Sequence, residues 1–257
     1  MTDPLLIERR GNVEILTLNR PDKLNTLSDD LIAALAARIE RLRHEQDVRA
    51  VVLTGRGRAF CAGVEMGTGE WNPLNSREFL KDINGVLDDL EQLPQPTIAA
   101  INGPAVAGGL ELALACTLRV ASSAATLGLP EITLGLVAAV GTTYRLPRLI
   151  GFGRTLEMAL LGDTVDATTA HAWGLVNRVA APTEVQSTAM ELASRLASGP
   201  PVATSLVKDA LYGAAAGGNS AAQLLEVLSA SVNHYTSDKL EGIAAFFEKR
   251  PPRFTGR

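Results

Sequence analysis

An α/β body carrying a helical C-terminal portion is the fold class this sequence predicts. Three observations carry that expectation. Over the first hundred residues, short apolar or β-branched runs alternate with amphipathic helical stretches, the β/α alternation of a layered α/β fold. From about residue 183 to 250 the strand signal disappears. Three helix-like stretches remain there, broken at Gly199-Pro200-Pro201 and at Gly217-Gly218. Finally, the 257 residues are 46% hydrophobic but only 4% aromatic. That suits one sizeable domain, or one with a small appendage, whose core packs small aliphatic side chains in close layers.

The elements follow in order. Residues 5–10 and 13–19 read as a hairpin with Gly11-Asn12 as its tight turn. Ser28 is placed as an N-cap, with Asp29 and Asp30 in the first turn behind it. Leu31, Ile32, Leu35, Ile39 and Leu42 then recur at helical spacing. Residues 50–55 form a short strand, and a polar, glycine-rich loop runs from 56 to about 75. Ser76 is read as the cap of a second helix bearing Phe79, Ile83, Val86, Leu87 and Leu90. Pro94 and Pro96 end that helix, and residues 97–101 give another short apolar strand.

Several chemistries find no support. Net charge is −4, without the basic face of a nucleic-acid-binding domain. There is no P-loop, no complete dinucleotide fingerprint at Gly55 or Gly151, and no Gly-x-Ser-x-Gly elbow. His44, His171 and His234 fall in unrelated segments, so no metal is expected. Cys61 and Cys116 sit among small apolar residues and read as reduced core thiols. No apolar run is long enough to span a bilayer and the first ten residues hold no signal-like segment. The expectation is a soluble, cytoplasmic protein with no membrane partner.

What remains is carboxylates and backbone. Glu111 is the only charge between Glu91 and Arg119, and its neighbours at helical spacing are Ala107, Gly108, Leu114 and Ala115. None can pair with it. Buried, such a carboxylate has a raised pKa and suits general acid–base chemistry; alternatively it meets a distant arginine or water. Glu131, behind Pro130 in an apolar run, could be a second such group or an ordinary solvated first-turn residue. Gly108-Gly109 at a helix start could present N–H groups to an oxyanion or could simply permit close packing.

Five ordered motifs then carry a resemblance. Residues 20–27 (RPDKLNTL) are similar to R-P-x-x-x-N-x-L, and residues 59–66 (AFCAGVEM) to A-F-C-A-G-x-D-[LIM]. Residues 102–112 (NGPAVAGGLEL) match N-G-x-A-x-G-G-G-x-E-L with Ala107 in place of the first glycine. Residues 130–135 match P-E-x-x-L-G, and residues 241–250 (EGIAAFFEKR) match E-G-x-x-A-F-x-E-K-R. Together they make the chain resemble the crotonase superfamily of enoyl-CoA hydratases and isomerases over nearly its whole length.

The resemblance implies a spiral of β-β-α turns over residues 1–198, holding the acyl-CoA site, and a helical oligomerisation region over 199–257. It implies a homotrimer or a hexamer of two stacked trimers, with no cofactor beyond the coenzyme A of the substrate. The N–H groups of Ala62 and Gly108 would form the oxyanion hole, and Ala62, Gly63, Val64, Glu65 and Gly108 would line the acyl-CoA site. Lys23 and Leu24 would lie by the adenine, and Phe246 and Lys249 would touch coenzyme A of their own or a neighbouring subunit. Glu111 would activate water at C3 and Glu131 would protonate C2, giving syn hydration of a trans-2-enoyl-CoA. Isomerisation or lyase chemistry on another acyl-CoA is the alternative, and a non-catalytic acyl-CoA- or RNA-binding relative a third. Three departures stand out: residues 137–141 (VAAVG) replace the common P-G-x-G-G run, Glu65 stands where aspartate is usual, and the loop 67–75 has no standard form.

Overall fold

A computed structural model of the chain describes residues 3–65, 73–217 and 219–257. Strands β1 (Leu5–Arg10) and β2 (Val13–Leu18) form the expected antiparallel hairpin. Helix α1 (Asp29–Leu42) starts at Ser28, whose side chain accepts from Leu31 N. β3 (Ala50–Gly55), α2 (Pro73–Glu91) and β4 (Thr97–Ile101) follow. Ser76 lies inside α2, because the helix begins three residues earlier at Pro73, whose fixed φ suits a first helical turn. Residues 66–72, most of the unusual loop, lie outside the described residues.

The central half continues with β5 (Ala105–Val106), α3 (Gly108–Ala115), β6 (Leu118–Ser122) and β7 (Thr126–Gly128). A 3-10 turn at Pro130–Leu134 leads to α4 (Thr142–Ile150) and α5 (Phe152–Leu161). β8 (Thr164–Asp166), α6 (Ala167–Ala172), β9 (Arg178–Ala180) and α7 (Val185–Ala197) complete the body. Beyond it come α8 (Pro201–Ala216), α9 (Asn219–Asn233) and α10 (Ser237–Glu248). The region read as three helical stretches thus holds four helices. The additional break falls at residues 234–236, where the Thr236 hydroxyl caps α10 by accepting from Lys239 N. No glycine or proline marks that break.

One mixed sheet in the order β1-β2-β3-β4-β6-β9 organises the body, parallel everywhere except the β1–β2 edge. Its inner strands β2, β3, β4 and β6 are buried almost throughout, so they read as largely apolar runs. Leu16, Leu18, Val51, Leu53, Ala99 and Ile101 face α1, α2 and α3. Val13, Ile15, Ala50, Val52, Ile98 and Ala100 face Val185, Ala189 and Leu192 of α7. A second, shorter layer collects one segment from each turn of the chain. Leu27 bridges Val64, Cys61 bridges Ala105, and β5, β7 and β8 form a three-stranded sheet. Each turn therefore adds one long strand to the first layer and one short segment to the second. That is the spiral.

Polar anchors fix the turns of this spiral. Asn25 is fully buried with φ +56°, a left-handed conformation that asparagine tolerates. Its Nδ2 donates to the carbonyls of Arg56 and Ala59, both at 2.9 Å, and its Oδ1 accepts from Arg20 N. Asn102 does similar work one turn on, accepting from Gly55 N and donating to Gly57 O. On the sheet, buried Glu14 meets Arg38 of α1, which also bridges Glu45.

The two edges of the sheet differ in use. The C-terminal ends of β3 and β4 open into the loops 56–65 and 102–107. The opposite edge receives the C-terminal region: buried Lys208 of α8 donates to Leu93 O (2.5 Å) and Gln95 O (3.2 Å), just before β4. Arg49, just before β3, donates to Phe254 O. Asn25→Ala removes three hydrogen bonds: the Arg56 carbonyl and the Arg20 N–H lose their Asn25 partner, and Ala59 O is left with Asn102 Nδ2 alone at 3.3 Å. It should cost about 3 kcal/mol and lower Tm by roughly 10 °C, read by thermal unfolding; a fall under 2 °C would show that Asn25 does not brace the spiral.

Candidate active site

Helix α3 is apolar and wholly buried, and it brings two functional features together. Its first residue, Gly108, presents a backbone N–H that no intrahelical acceptor can reach. Three residues on, Glu111 projects from the same first turn. The helix can come this close to the preceding loop because Gly109 lies against Cys61: a methyl added to Gly109 would fall 2.0 Å from Cys61 O. At the far end, buried Arg119 donates to Cys116 O (2.7 Å) and Ala113 O (3.4 Å), satisfying carbonyls where the helix stops.

The loop 61–65 supplies the partner for Gly108, but not through the expected atom. Ala62 N already donates to Leu24 O at 3.1 Å, so it is not free for a ligand. Leu27 N donates to Gly63 O and Glu65 N donates to Leu27 O, which turns the intervening Val64 N–H away from that pairing. A methyl on Gly108 would sit 3.2 Å from Val64 N, so the two peptide groups are neighbours. Neither the Val64 nor the Gly108 N–H has a partner among the described residues. Ala62 is therefore replaced by Val64 as the donor facing Gly108. The reason is Gly63, whose φ of +110° reverses the alternation of N–H directions expected along an extended segment.

Ala107, the residue before α3, has φ +52° and ψ −132°. Glycine enters this region freely and an L-residue does so only at a cost. Neighbouring bonds hold it there: Ala107 N donates to Gly128 O, and its carbonyl accepts from Leu110 and Glu111 N. The strain sits at the residue that aims the Gly108 N–H.

Glu111 is 1% exposed, and it is not without partners. Its Oε1 accepts from Val140 N and from Thr142 Oγ1, both at 2.7 Å, at the N-terminus of α4. A carboxylate at that end of a helix also meets the positive end of the dipole. Burial raises its pKa, while the Thr142 hydroxyl, the N–H groups of the α4 start and the Arg145 charge oppose the rise. Arg145 is itself held by Asp88 and by Glu91 of α2, the latter at 3.2 Å.

Glu131 lies in the 3-10 turn before α4, half-buried. Its Oε2 is enclosed and has no hydrogen-bond partner among the described residues. Burial, and after it the charge of Glu111, push its pKa up to about 7. The sequence left a solvated first-turn residue open as the alternative; an enclosed, unpartnered oxygen that senses Glu111 is a different thing. Such a pair titrates jointly.

The remaining candidate residues divide. Lys23 and Glu65 border an open depression of about 1260 Å³ that also takes in Arg20, Asp22, Arg56 and Phe79. Leu24, at φ +50°, turns the chain there and receives the Ala62 N–H. Glu65 is bound by Arg20 Nη2 at 2.7 Å, a bond that also ties the motif at 20–27 to the motif at 59–66. Phe246 and Lys249 are not brought to this region. Phe246 is 78% exposed and borders a separate hollow with Pro200, Asp238 and Phe254. Val64 was read as a lining residue but not as an N–H donor, and Val140 and Thr142 were missed as partners of Glu111 by sequence reasoning. The run 137–141 was marked only as a departure, and nothing in its residue types shows that it cradles Glu111. Among the described residues no group of three His, Cys, Asp or Glu could hold a metal ion, and no helix is long and apolar enough to cross a membrane.

The sequence profile described as enoyl-CoA hydratase/isomerase matches residues 8–257. The chain belongs to the enoyl-CoA hydratase/isomerase family. Within this family, the short-chain-enoyl-CoA hydratase of Clostridium acetobutylicum is 36% identical over 96% of the chain and 95% of its own length. The 1,2-epoxyphenylacetyl-CoA isomerase of Escherichia coli is 33% identical over the whole of both chains. Among solved structures, an enoyl-CoA hydratase from Bacillus anthracis superposes with a TM-score of 0.95 at 37% identity, covering 99% of this chain and 100% of that one. The α/β crotonase fold is thereby established.

The strain at Ala107 is open to test. Ala107→Gly should stabilise this family member by about 1 kcal/mol, relief of backbone strain exceeding the entropy cost of glycine. Ala107→Val should destabilise it. Denaturant midpoints check both, and a lower midpoint for the glycine variant would mean that the backbone there is unstrained.

Proposed function

We propose that the chain catalyses reversible syn hydration of a trans-2-enoyl-CoA to a 3-hydroxyacyl-CoA. The observation that carries this reading is the division of labour between the two glutamates. Burial raises both carboxyls, but only Glu111 has donors on its carboxylate that oppose the rise; the enclosed Oε2 of Glu131 has none among the described residues, and its pKa is pushed up to about 7. Two carboxyls that differ in this way suit the roles of base and acid.

In the hydration direction, Glu111 accepts a proton from water as the hydroxyl bonds to C3. The C2–C3 π electrons move to C2 and the thioester carbonyl, giving an enolate. Its oxygen is held by the N–H groups of Val64 and Gly108, donors aimed where negative charge develops. Glu131 then delivers its proton to C2 and the carbonyl reforms. Ala62 keeps its place as a lining residue through its side chain and carbonyl rather than its N–H. Gly63, Glu65, Lys23 and Leu24 fit the course of the coenzyme A moiety along the depression, and no other cofactor is needed.

The same reading takes in the C-terminal region. Val207 and Leu211 of α8, Leu224, Val227 and Leu228 of α9, and Leu240, Ile243 and Phe247 of α10 are all exposed in a single chain. So much apolar surface calls for a cover. A trimer, alone or stacked as a hexamer, supplies it, and in such an assembly Phe246 and Lys249 serve a neighbour's substrate. Isomerisation or other enolate chemistry on an acyl-CoA is the second reading, favoured by the whole-length likeness to a relative named 1,2-epoxyphenylacetyl-CoA isomerase.

The test is loss of the conjugated-thioester absorbance of crotonyl-CoA and of a longer 2-enoyl-CoA. Glu111→Gln and Glu131→Gln should each lower kcat by about 10²–10⁴-fold while acyl-CoA binding persists, because the oxyanion donors are backbone groups. Near-full activity in either variant would remove that residue from the mechanism. Acyl-CoA binding without hydration would move the assignment to isomerisation. The pH profile has a defined sign: the hydration rate should fall as pH rises through about 7, where Glu131 loses the proton it must donate. A rate still rising past that point would exclude Glu131 as the acid.

A further inference from the structure

The grip on Glu111 is lopsided. Both hydrogen bonds to its carboxylate, from Val140 N and Thr142 Oγ1, arrive at Oε1. No hydrogen bond reaches Oε2 among the described residues. Thr142 is itself 2% exposed and is the first residue of α4. We propose that Thr142 is a positioning residue for Glu111: its hydroxyl locks Oε1 so that Oε2 alone is presented to the reacting water. The inference deepens the proposed hydration and rests on the assignment of Glu111 as its base.

The geometry gives the hydroxyl a role that the peptide N–H cannot fill by itself. One hydrogen bond from Val140 N leaves the carboxylate free to rotate about its last torsion, which is broad for a glutamate. Two donors converging on one oxygen from different directions remove that freedom. Threonine is suited to this because its branched Cβ restricts χ1, so the hydroxyl is aimed by packing rather than by chance. The hydroxyl also favours the charged form of Glu111, since a carboxylate oxygen accepts more strongly than a protonated one. Burial within α3 favours the neutral form, and among the opposing influences the Thr142 hydroxyl ranks first.

The other charges facing Glu111 are accounted for. Arg145 of α4 favours ionisation, but Asp88 and Glu91 of α2 pair with that guanidinium and offset it. Glu131 of the 3-10 turn disfavours it through like charge. The hydroxyl is a neutral donor, so it opposes burial without adding a charge that the substrate would have to meet. It stands directly behind the run 137–141, where this chain departs from the family's common pattern.

The test compares Thr142→Val, nearly the same shape without the donor, with Thr142→Ser, which keeps the donor, in the full-length protein. In the valine variant, kcat for crotonyl-CoA hydration should fall about tenfold with little change in KM. The acidic limb of its pH profile should move up by about one unit, because the base must be ionised and its pKa rises when the donor is lost. The serine variant should restore both. Should valine prevent folding, Thr142→Ala makes the same comparison.

A second readout does not require turnover. The ¹³C carboxyl resonance of Glu111, assigned by its loss in Glu111→Gln, is titrated in free wild type and both variants. A midpoint that is higher in Thr142→Val and returns in Thr142→Ser supports the proposal even if wild type hydrates no enoyl-CoA, an outcome that would overturn the hydratase reading alone. Unchanged midpoints in all three proteins, or an unshifted acidic limb in an active valine variant, would overturn the role of Thr142.

Discussion

Burial of a single carboxylate organises the middle of this protein. Glu111 sits in a helix that is apolar on every side, where an unsatisfied charge costs several kcal/mol and more. Nothing within its own helix can satisfy it. The acceptor demand is met by the N-terminus of another helix, α4, which has orphan donors of its own. Two incomplete structures, a lone carboxylate and an uncapped helix end, complete each other. The pairing fixes where residues 137–142 run and brings Glu131, in the turn just before them, close enough to feel the charge of Glu111.

The backbone is constrained with equal force on the other side of the site. The short second layer of the spiral places residues 61–64 beside β5 and the start of α3. That contact leaves room for no side chain at Gly109 and demands positive φ at Gly63 and Ala107. Two peptide N–H groups, Val64 and Gly108, emerge side by side without acceptors among the described residues. In a closed interior such groups would be a liability. On the proposed reading of the site, they are preorganised donors for a thioester oxygen.

The chain keeps its two edges for different purposes. The ends of β3 and β4 that lead to the site are braced by polar side chains, Asn25 and Asn102, whose bonds run between successive turns. The opposite edge anchors α8 through Lys208 and the C-terminal tail through Arg49. The helices beyond that anchor carry their apolar residues outward, so the surface of one chain is unfinished there.

Much of this was written in the residue types. The hairpin, the cap at Ser28 and the buried strands followed from local pattern, because turn chemistry and side-chain periodicity act over a few residues. Glu111 declared itself as the one charge in a long apolar stretch. What local pattern could not supply was direction. Ala62 was expected to point its N–H at the site, but the left-handed turn at Gly63 gives that role to Val64. The break before α10 carries no glycine or proline to mark it, and residue types alone left Glu131 open between a solvated residue and an acid–base group until the fold enclosed its Oε2. Most of all, residues 137–142 show no chemistry of their own. By itself the sequence determined most of the elements and the family and singled out the two glutamates as candidates, since these rest on residue identity and short-range geometry. Only the tertiary structure decided which N–H groups face the site, which donors hold Glu111 and which carboxyl oxygen is enclosed without a donor, because each depends on groups brought together from distant turns of the chain.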